Sequence, residues 1–100
     1  MESKNKKVIK LDFTGCKTGW NYHERIRVAF NFPEWYGKNW SAFWDLLRTE
    51  CDADKVEIFG EHTLSKQFDE YINKTHEILQ RLVDDCKEDP EDHFEYEVID

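Results

Sequence analysis

The chain has 100 residues, of which 39% are hydrophobic and 15% aromatic, and its formal net charge is -8. This length fits one domain and excludes a second hydrophobic core, and a disordered chain of this charge would carry fewer aromatic residues. The negative charge argues against direct nucleic-acid binding, which needs a surface rich in Lys and Arg, and agrees with a basic partner or with solubility alone.

The sequence shows neither a membrane-spanning stretch nor a signal-peptide pattern. The three cysteines, Cys16, Cys51 and Cys86, are an odd and widely spaced set that resembles neither a disulfide framework nor a zinc site. We therefore expect a cytoplasmic protein without a cofactor, monomeric when alone, that forms a single domain over residues 1–100. Residues 1–6 are polar and are expected to be a frayed terminus.

A strand and a helix come first in chain order. Residues 7–13 alternate apolar and polar side chains, which predicts a strand. After a glycine-containing loop, Asn21 is predicted to be a helix N-cap, with Glu24 three residues later as in a capping box. Apolar residues at helical spacing then continue the first helix to about Phe30.

A second helix follows a turn at residues 31–39, which Pro33 and Gly37 interrupt and which has room for one helical turn. Asn39 is the predicted N-cap of this helix, which runs to about residue 49. Its apolar stripe and its opposite, polar face follow from helical spacing. The stripe consists of Trp40, Phe43, Trp44, Leu47 and Cys51, and the polar face carries Ser41, Asp45 and Arg48.

The second half of the chain reads as strand, helix and strand. Residues 54–59 and 94–99 are the predicted strands, and residues 89–92 break the pattern before the last one. Between them, apolar residues repeat at helical spacing from Leu64 to Cys86, as one helix or as two separated near residues 73–75. Strands that alternate with helices predict an α/β fold with parallel strands covered by helices.

Two features of the turn and the second helix have both a structural and a functional interpretation. Phe43 and Trp40 are expected in the core, whereas Trp35 and Trp44 are equally compatible with the core and with a protein interface, where Trp often acts as an anchor. Asp45 lies beyond the first helical turn, where the helix dipole does not favour an anion. It is either a solvated surface carboxylate or a group that enters a cationic pocket of a partner.

The sequence gives little support to an enzyme. The four histidines are scattered, and neither a nucleophile signature nor a glycine-rich phosphate loop is present. His76 and Glu77 lack the second His that a zinc-binding helix needs, which makes a pair on the helix surface the expected interpretation.

Residues 32–47, Phe-Pro-Glu-Trp-Tyr-Gly-Lys-Asn-Trp-Ser-Ala-Phe-Trp-Asp-Leu-Leu, resemble the barstar family. The shared pattern is a Pro-Glu-aromatic-Tyr-Gly-x-Asn turn that leads into a helix with an Ala-apolar-Trp-Asp core. Shorter matches occur at residues 65–67 and 78–80, and the order of strands and helices agrees over nearly the whole chain. The resemblance implies a three-stranded parallel sheet packed with three to four helices, and inhibition of an extracellular, basic, barnase-like ribonuclease inside the cell that makes it.

The resemblance also implies roles for individual residues. Asp45 matches an acidic residue that occupies the phosphate site of the nuclease, and Trp35 matches an aromatic residue that packs against a catalytic His. Asp84 matches an outlying acid on the later helix. The partner-binding residues expected on this basis are Trp35, Gly37, Asn39, Trp40, Ser41, Trp44, Asp45, Thr49 and Asp84.

Two positions depart from the family pattern. Ser41 stands where the family has a second interface Asp, and Thr49 stands where a small Gly allows close approach. Loss of a charge that pairs in a desolvated interface costs on the order of 2–5 kcal/mol. The alternative to nuclease inhibition is therefore a barstar-fold antitoxin or interaction module with a different basic partner, which need not be a nuclease.

Overall fold

The computed structural model describes residues 7–50, 53–87 and 94–99. Its elements are strand β1 (Val8–Asp12), helix α1 (Gly19–Phe30), helix α2 (Trp40–Glu50), strand β2 (Lys55–Phe59), helix α3 (Asp69–Cys86) and strand β3 (Glu95–Val98). Two 3-10 turns, Glu61–Thr63 and Lys66–Phe68, lie between β2 and α3. The predicted frayed terminus at residues 1–6, the predicted break at residues 89–92 and Cys51 lie outside the described residues.

The three strands form one parallel sheet in the order β1-β2-β3. Leu11 of β1 is in register with Ile58 of β2, and Ile58 is in turn in register with Val98 of β3. Helices α1 and α2 connect β1 to β2, and α3 connects β2 to β3, as parallel neighbours require a crossover. The predicted α/β fold with a three-stranded parallel sheet is confirmed, and the described part of the chain contains three α-helices.

The sheet buries one face against the helices. Ile9 and Leu11 of β1 and Val56 and Ile58 of β2 are buried in the core, whereas the residues between them are more exposed. The other face carries charge, with Nζ of Lys55 2.9 Å from Oε1 of Glu97 on β3. Because only one face is fully covered, the strands keep the alternation of apolar and polar residues that made them recognisable in the sequence.

Helix α1 begins earlier than its sequence predicts. Thr18 is the N-cap, and its Oγ1 accepts a hydrogen bond from the backbone N–H of Asn21 at 3.0 Å. Asn21 is therefore the third residue of the helix rather than its cap, and the predicted capping box with Glu24 is wrong. Glu24 binds Arg27 one turn later instead, with Oε2 2.7 Å from the guanidinium Nη2.

The long apolar repeat after β2 is one helix, α3, which begins at Asp69 rather than near Leu64. Thr75, which had suggested a second helix start, is fully buried within α3. Its hydroxyl donates to the carbonyl of Tyr71 one turn earlier at 2.8 Å and lies 2.7 Å from the hydroxyl of Tyr22 on α1. The polar side chain that could have capped a new helix is used to join α3 to α1.

Candidate functional site

The turn between α1 and α2 is fixed by two buried rings on either side of an exposed one. Asn31 ends α1 in the left-handed region with φ 58°, and the backbone N–H of Phe32 donates to the carbonyl of Arg27 at 2.9 Å. Phe32 and Tyr36 are buried, and the backbone N–H of Tyr36 donates to the carbonyl of Pro33 at 3.0 Å. Trp35 lies between them with 75% of its side chain exposed. No helical turn forms within this segment.

Asn39 caps α2 as predicted. Its Oδ1 accepts from the backbone N–H of Ala42 at 2.8 Å, and its Nδ2 donates to the carbonyl of Gly37 at 3.2 Å. A Cβ at Gly37 would lie 2.9 Å from this Nδ2, so a larger residue would push the cap out of place. The glycine and the asparagine therefore form one unit that sets the direction of α2.

Helix α2 presents two distinct faces. Phe43, Leu46 and Leu47 are buried in the core, and Trp40 packs against them while partly exposed. The expectation of Phe43 in the core is confirmed, whereas Leu46 was missing from the predicted stripe. The opposite face is exposed and consists of Ser41, Asp45, Arg48 and Thr49.

Asp45 lies at the centre of this exposed face. Its carboxylate makes no ion pair and no hydrogen bond with the residues that the structure describes, although Arg48 follows it by three positions. The hydroxyl of Thr49 donates to the Asp45 backbone carbonyl at 2.8 Å, which leaves the carboxylate itself available. Asp45 is thus a solvated charge on a rigid helix, directed away from the core.

Trp44 lies at the edge of the exposed face, half-buried between α2 and α3. It packs against the core on one side, and the guanidinium groups of Arg48 and Arg81 approach its ring. A groove of about 460 Å³ next to it is lined by residues of both helices, among them Ser41 and Lys74. Trp44 is therefore packed against the core and partly exposed, whereas Trp35 lies on the surface, and the contact of either ring with a partner stays a prediction.

Asp84 is separate from the exposed face of α2. It is exposed on α3, where its Oδ1 accepts from Nε2 of Gln80 at 3.1 Å and lies 3.8 Å from Nζ of Lys87. Residues three positions apart share a side of a helix, so Asp84 lies on the side of α3 that carries Arg81. The sequence-based expectation did not include Arg81, because only the packing of α3 against α2 brings it to Trp44.

Two of the histidines, His23 and His76, have structural partners. Nδ1 of His23 lies 2.9 Å from the hydroxyl of Tyr36, and burial together with the charge of Lys38 lowers the pKa of His23 to about 4. Nε2 of His76 lies 2.6 Å from Oε2 of Glu61, and Glu77 pairs with Lys74 at 3.5 Å. His76 and Glu77 thus lie at the surface of α3, and each binds a different residue because adjacent residues on a helix point in different directions.

Within residues 7–50, 53–87 and 94–99, no group of three or more His, Cys, Asp or Glu side chains is arranged to hold a metal ion. Cys16 is a buried free thiol in the same ranges. None of the helices described has both the length and the apolar composition needed to cross a membrane.

Comparison with known proteins assigns the family. The family model for Barstar (barnase inhibitor) matches residues 6–98, which include all three strands, all three helices and the turn before α2. A search among curated proteins finds no match. Since the family match covers nearly the whole chain and agrees with the parallel sheet described above, the chain belongs to the barstar family, a family of barnase inhibitors rather than enzymes.

Proposed function

We propose that this protein inhibits a barnase-like ribonuclease by covering its active site with α2 and the turn before it. The observation that carries the proposal is the Asp45 carboxylate, which is exposed at the centre of α2 and unpaired among the described residues. A carboxylate in this position can enter the cationic pocket in which the nuclease binds a substrate phosphate. The inhibitor then blocks the enzyme both by occupying space and by imitating the phosphate charge.

The surrounding charge supports a basic enzyme as the partner. The net charge of -8 attracts a basic protein and accelerates the encounter, an effect that salt weakens. Barstar and its ribonuclease are themselves a standard example of such steering. We expect the protein to act as a monomer in the cytoplasm of the cell that makes the nuclease, in a complex of one inhibitor with one enzyme.

The exposed aromatic rings supply the apolar part of the proposed interface. Trp35 projects from a turn that buried residues hold in place, and Trp44, the residue before Asp45 in α2, is partly exposed. Large aromatic side chains near an interface centre often contribute a large share of the binding free energy. The remaining proposed contacts are Gly37, Asn39, Trp40, Ser41, Thr49 and, on α3, Asp84.

Ser41 and Thr49 support the alternative of a different partner. Both are exposed beside Asp45, so the face carries one central acid rather than two and is bulkier at its far end. A barstar-fold antitoxin or interaction module directed at another basic protein would show the same departures. Capture of a partner without nuclease activity from the native host would favour this alternative.

An inhibition assay with purified barnase-like ribonucleases tests the proposal. We expect the wild-type chain to inhibit at a ratio of one to one, and Asp45→Ala to raise the Kd by about 30-fold or more, which corresponds to about 2 kcal/mol. Because Asp45 is exposed, the free energy of unfolding should change by only about 0.5 kcal/mol.

The matched control is Asp85→Ala, which removes the same charge from an exposed position of α3 where the carboxylate has no ion pair among the described residues. This variant should inhibit nearly as well as the wild type. Equal inhibition by the Asp45→Ala variant and the wild type would refute the imitation of phosphate.

A further inference from the structure

Two guanidinium groups approach the same indole ring beside Asp45. Cζ of Arg48, on α2, lies 5.4 Å from the ring centroid of Trp44, and Cζ of Arg81, on α3, lies 4.4 Å from it. Both arginines are exposed. A cation near an aromatic ring gains about 0.5–1 kcal/mol at such sites, which helps to hold both side chains in place.

Neither guanidinium is neutralised by the residues that the structure describes. Asp45 does not pair with Arg48, and none of the acids one turn from Arg81 pairs with it: Glu77 pairs with Lys74, Asp84 pairs with Lys87, and Asp85 makes no ion pair with the described residues. Neither Arg48 nor Arg81 donates a hydrogen bond to any described residue, so the N–H groups of both remain available. Two guanidinium groups with available N–H donors at one ring can together bind an anion that approaches this surface.

We propose that Trp44, Arg48 and Arg81, the arginine site, bind a carboxylate side chain on the rim of the nuclease active site. This inference rests on the proposed function and deepens it, because it specifies the partner's chemistry: a cationic pocket for Asp45 with an acidic residue next to it. Guanidinium groups bind carboxylates through paired N–H donors, which gives such a contact a defined geometry.

Ser41 is consistent with this arrangement. It lines the groove of about 460 Å³ together with Trp44 and Arg81. An acidic side chain at position 41 would place a negative charge in that groove and repel an incoming carboxylate. The uncharged serine leaves the groove open to an anion. The presence of Ser41 in place of an acidic residue therefore favours the same partner as the arginine site does, one that presents a carboxylate.

Removal of the arginine charges distinguishes this contact from general attraction. Arg48→Gln and Arg81→Gln make the inhibitor more acidic, so steering toward a basic enzyme alone would leave binding unchanged or strengthen it. If the arginine site binds a carboxylate, removal of the two charges should instead weaken binding. With a barnase-like ribonuclease that the wild type inhibits, the double variant should raise the Kd about tenfold or more, chiefly through faster dissociation.

The control is Lys10→Gln, which removes the same charge from an exposed position of β1. This variant should bind about as tightly as the wild type or slightly more tightly. Arg81→Lys, which keeps the charge and loses the paired donors, should lie between the wild type and Arg81→Gln. Urea unfolding of each variant verifies that the fold is retained.

Three results would overturn the arginine site. The first is tight, unchanged binding by the double variant of Arg48→Gln and Arg81→Gln, together with loss of inhibition in Asp45→Ala. This result would leave the proposed function intact. The second is binding of a single-stranded RNA oligonucleotide that the double variant loses, which would assign the arginines to phosphate. The third is a wild-type chain that inhibits none of the nucleases, which would overturn both proposals.

Discussion

The hydroxyl of Tyr36 lies 2.9 Å from Nδ1 of His23, which joins the turn before α2 to the buried side of α1. The His23 ring also packs against Trp40, with ring centroids 4.6 Å apart. Burial raises the pKa of Tyr36 and lowers the pKa of His23, so both groups are uncharged at neutral pH. The position of the proposed interface therefore depends on a buried polar contact between α1 and the turn before α2.

Tyr36→Phe should destabilise the fold through this contact. The substitution keeps the ring but leaves Nδ1 of His23 buried without its partner, which costs about 1–3 kcal/mol. Urea unfolding at pH 7 measures the change. His23→Asn combined with Tyr36→Phe should cost less than the sum of the two single variants, and strictly additive effects would show that the two groups do not interact.

Stability should depend on pH between about 4 and 6.5 because of His23. Its pKa is about 4 in the fold and about 6.5 in an unfolded chain, so in this window the unfolded chain binds a proton that the native state does not. The contribution of a neutral His23 is complete above pH 6.5 and is lost as the pH falls toward 4. The loss amounts to about 2–3 kcal/mol.

Chemical unfolding from pH 4 to pH 7.5 measures this dependence. Carboxylates contribute at the acidic end, among them Glu24, whose pKa the hydrogen bond from Arg27 lowers to about 2. The difference between the wild type and His23→Asn isolates the histidine, since Asn can still hydrogen-bond Tyr36 but does not titrate. Parallel pH profiles for the two proteins would exclude His23 as the source.

Trp35→Ala should separate binding from stability. Because 75% of the side chain is exposed, its loss should change the free energy of unfolding by about 0.5 kcal/mol or less. If Trp35 is a binding anchor, the same change raises the Kd for the nuclease about 30-fold, or about 2 kcal/mol. Val28→Ala, at a 62% exposed apolar position of α1, is the control and should alter neither quantity.

The N-caps of α1 and α2 can be tested by three alanine variants. Thr18→Ala and Asn39→Ala each remove a cap and should lower the free energy of unfolding by about 0.5–2 kcal/mol. Asn21→Ala should have little effect, because only the backbone N–H of Asn21 takes part in the capping of α1. A larger loss for Asn21→Ala than for Thr18→Ala would contradict the observed start of the helix.

The parts of the fold that follow from local pattern were predictable. Alternation in β1 and β2 predicted strands because the sheet is covered on one face, and Asn39 predicted the start of α2 because its side chain bonds its own helix. The exposure of Ser41, Asp45 and Arg48 followed from helical spacing alone. The binding of these residues to a nuclease stays a prediction, since it comes from the family and not from the spacing.

The parts that depend on contacts between distant segments were not predictable. A side chain at Gly19 would collide with the hydroxyl of Tyr71 on α3, so the glycine allows close packing within a helix where the sequence indicated a loop. Thr75 has the side chain of a helix cap, but its hydroxyl lies in a buried contact with the hydroxyl of Tyr22 on another helix. The approach of Arg81 to Trp44 likewise needs the packing of two helices, and no periodicity along either helix reveals it.

The position of Trp35 between buried Phe32 and Tyr36 has a thermodynamic consequence for association. The backbone on both sides of the ring is ordered before any partner arrives, so complex formation there need only restrict two side-chain torsions. The entropic cost of binding at this turn is accordingly small, and the free and bound turns should superimpose closely. Under the proposed function, the bonds that stabilise the isolated domain therefore also preorganise its most exposed aromatic ring for binding to the nuclease.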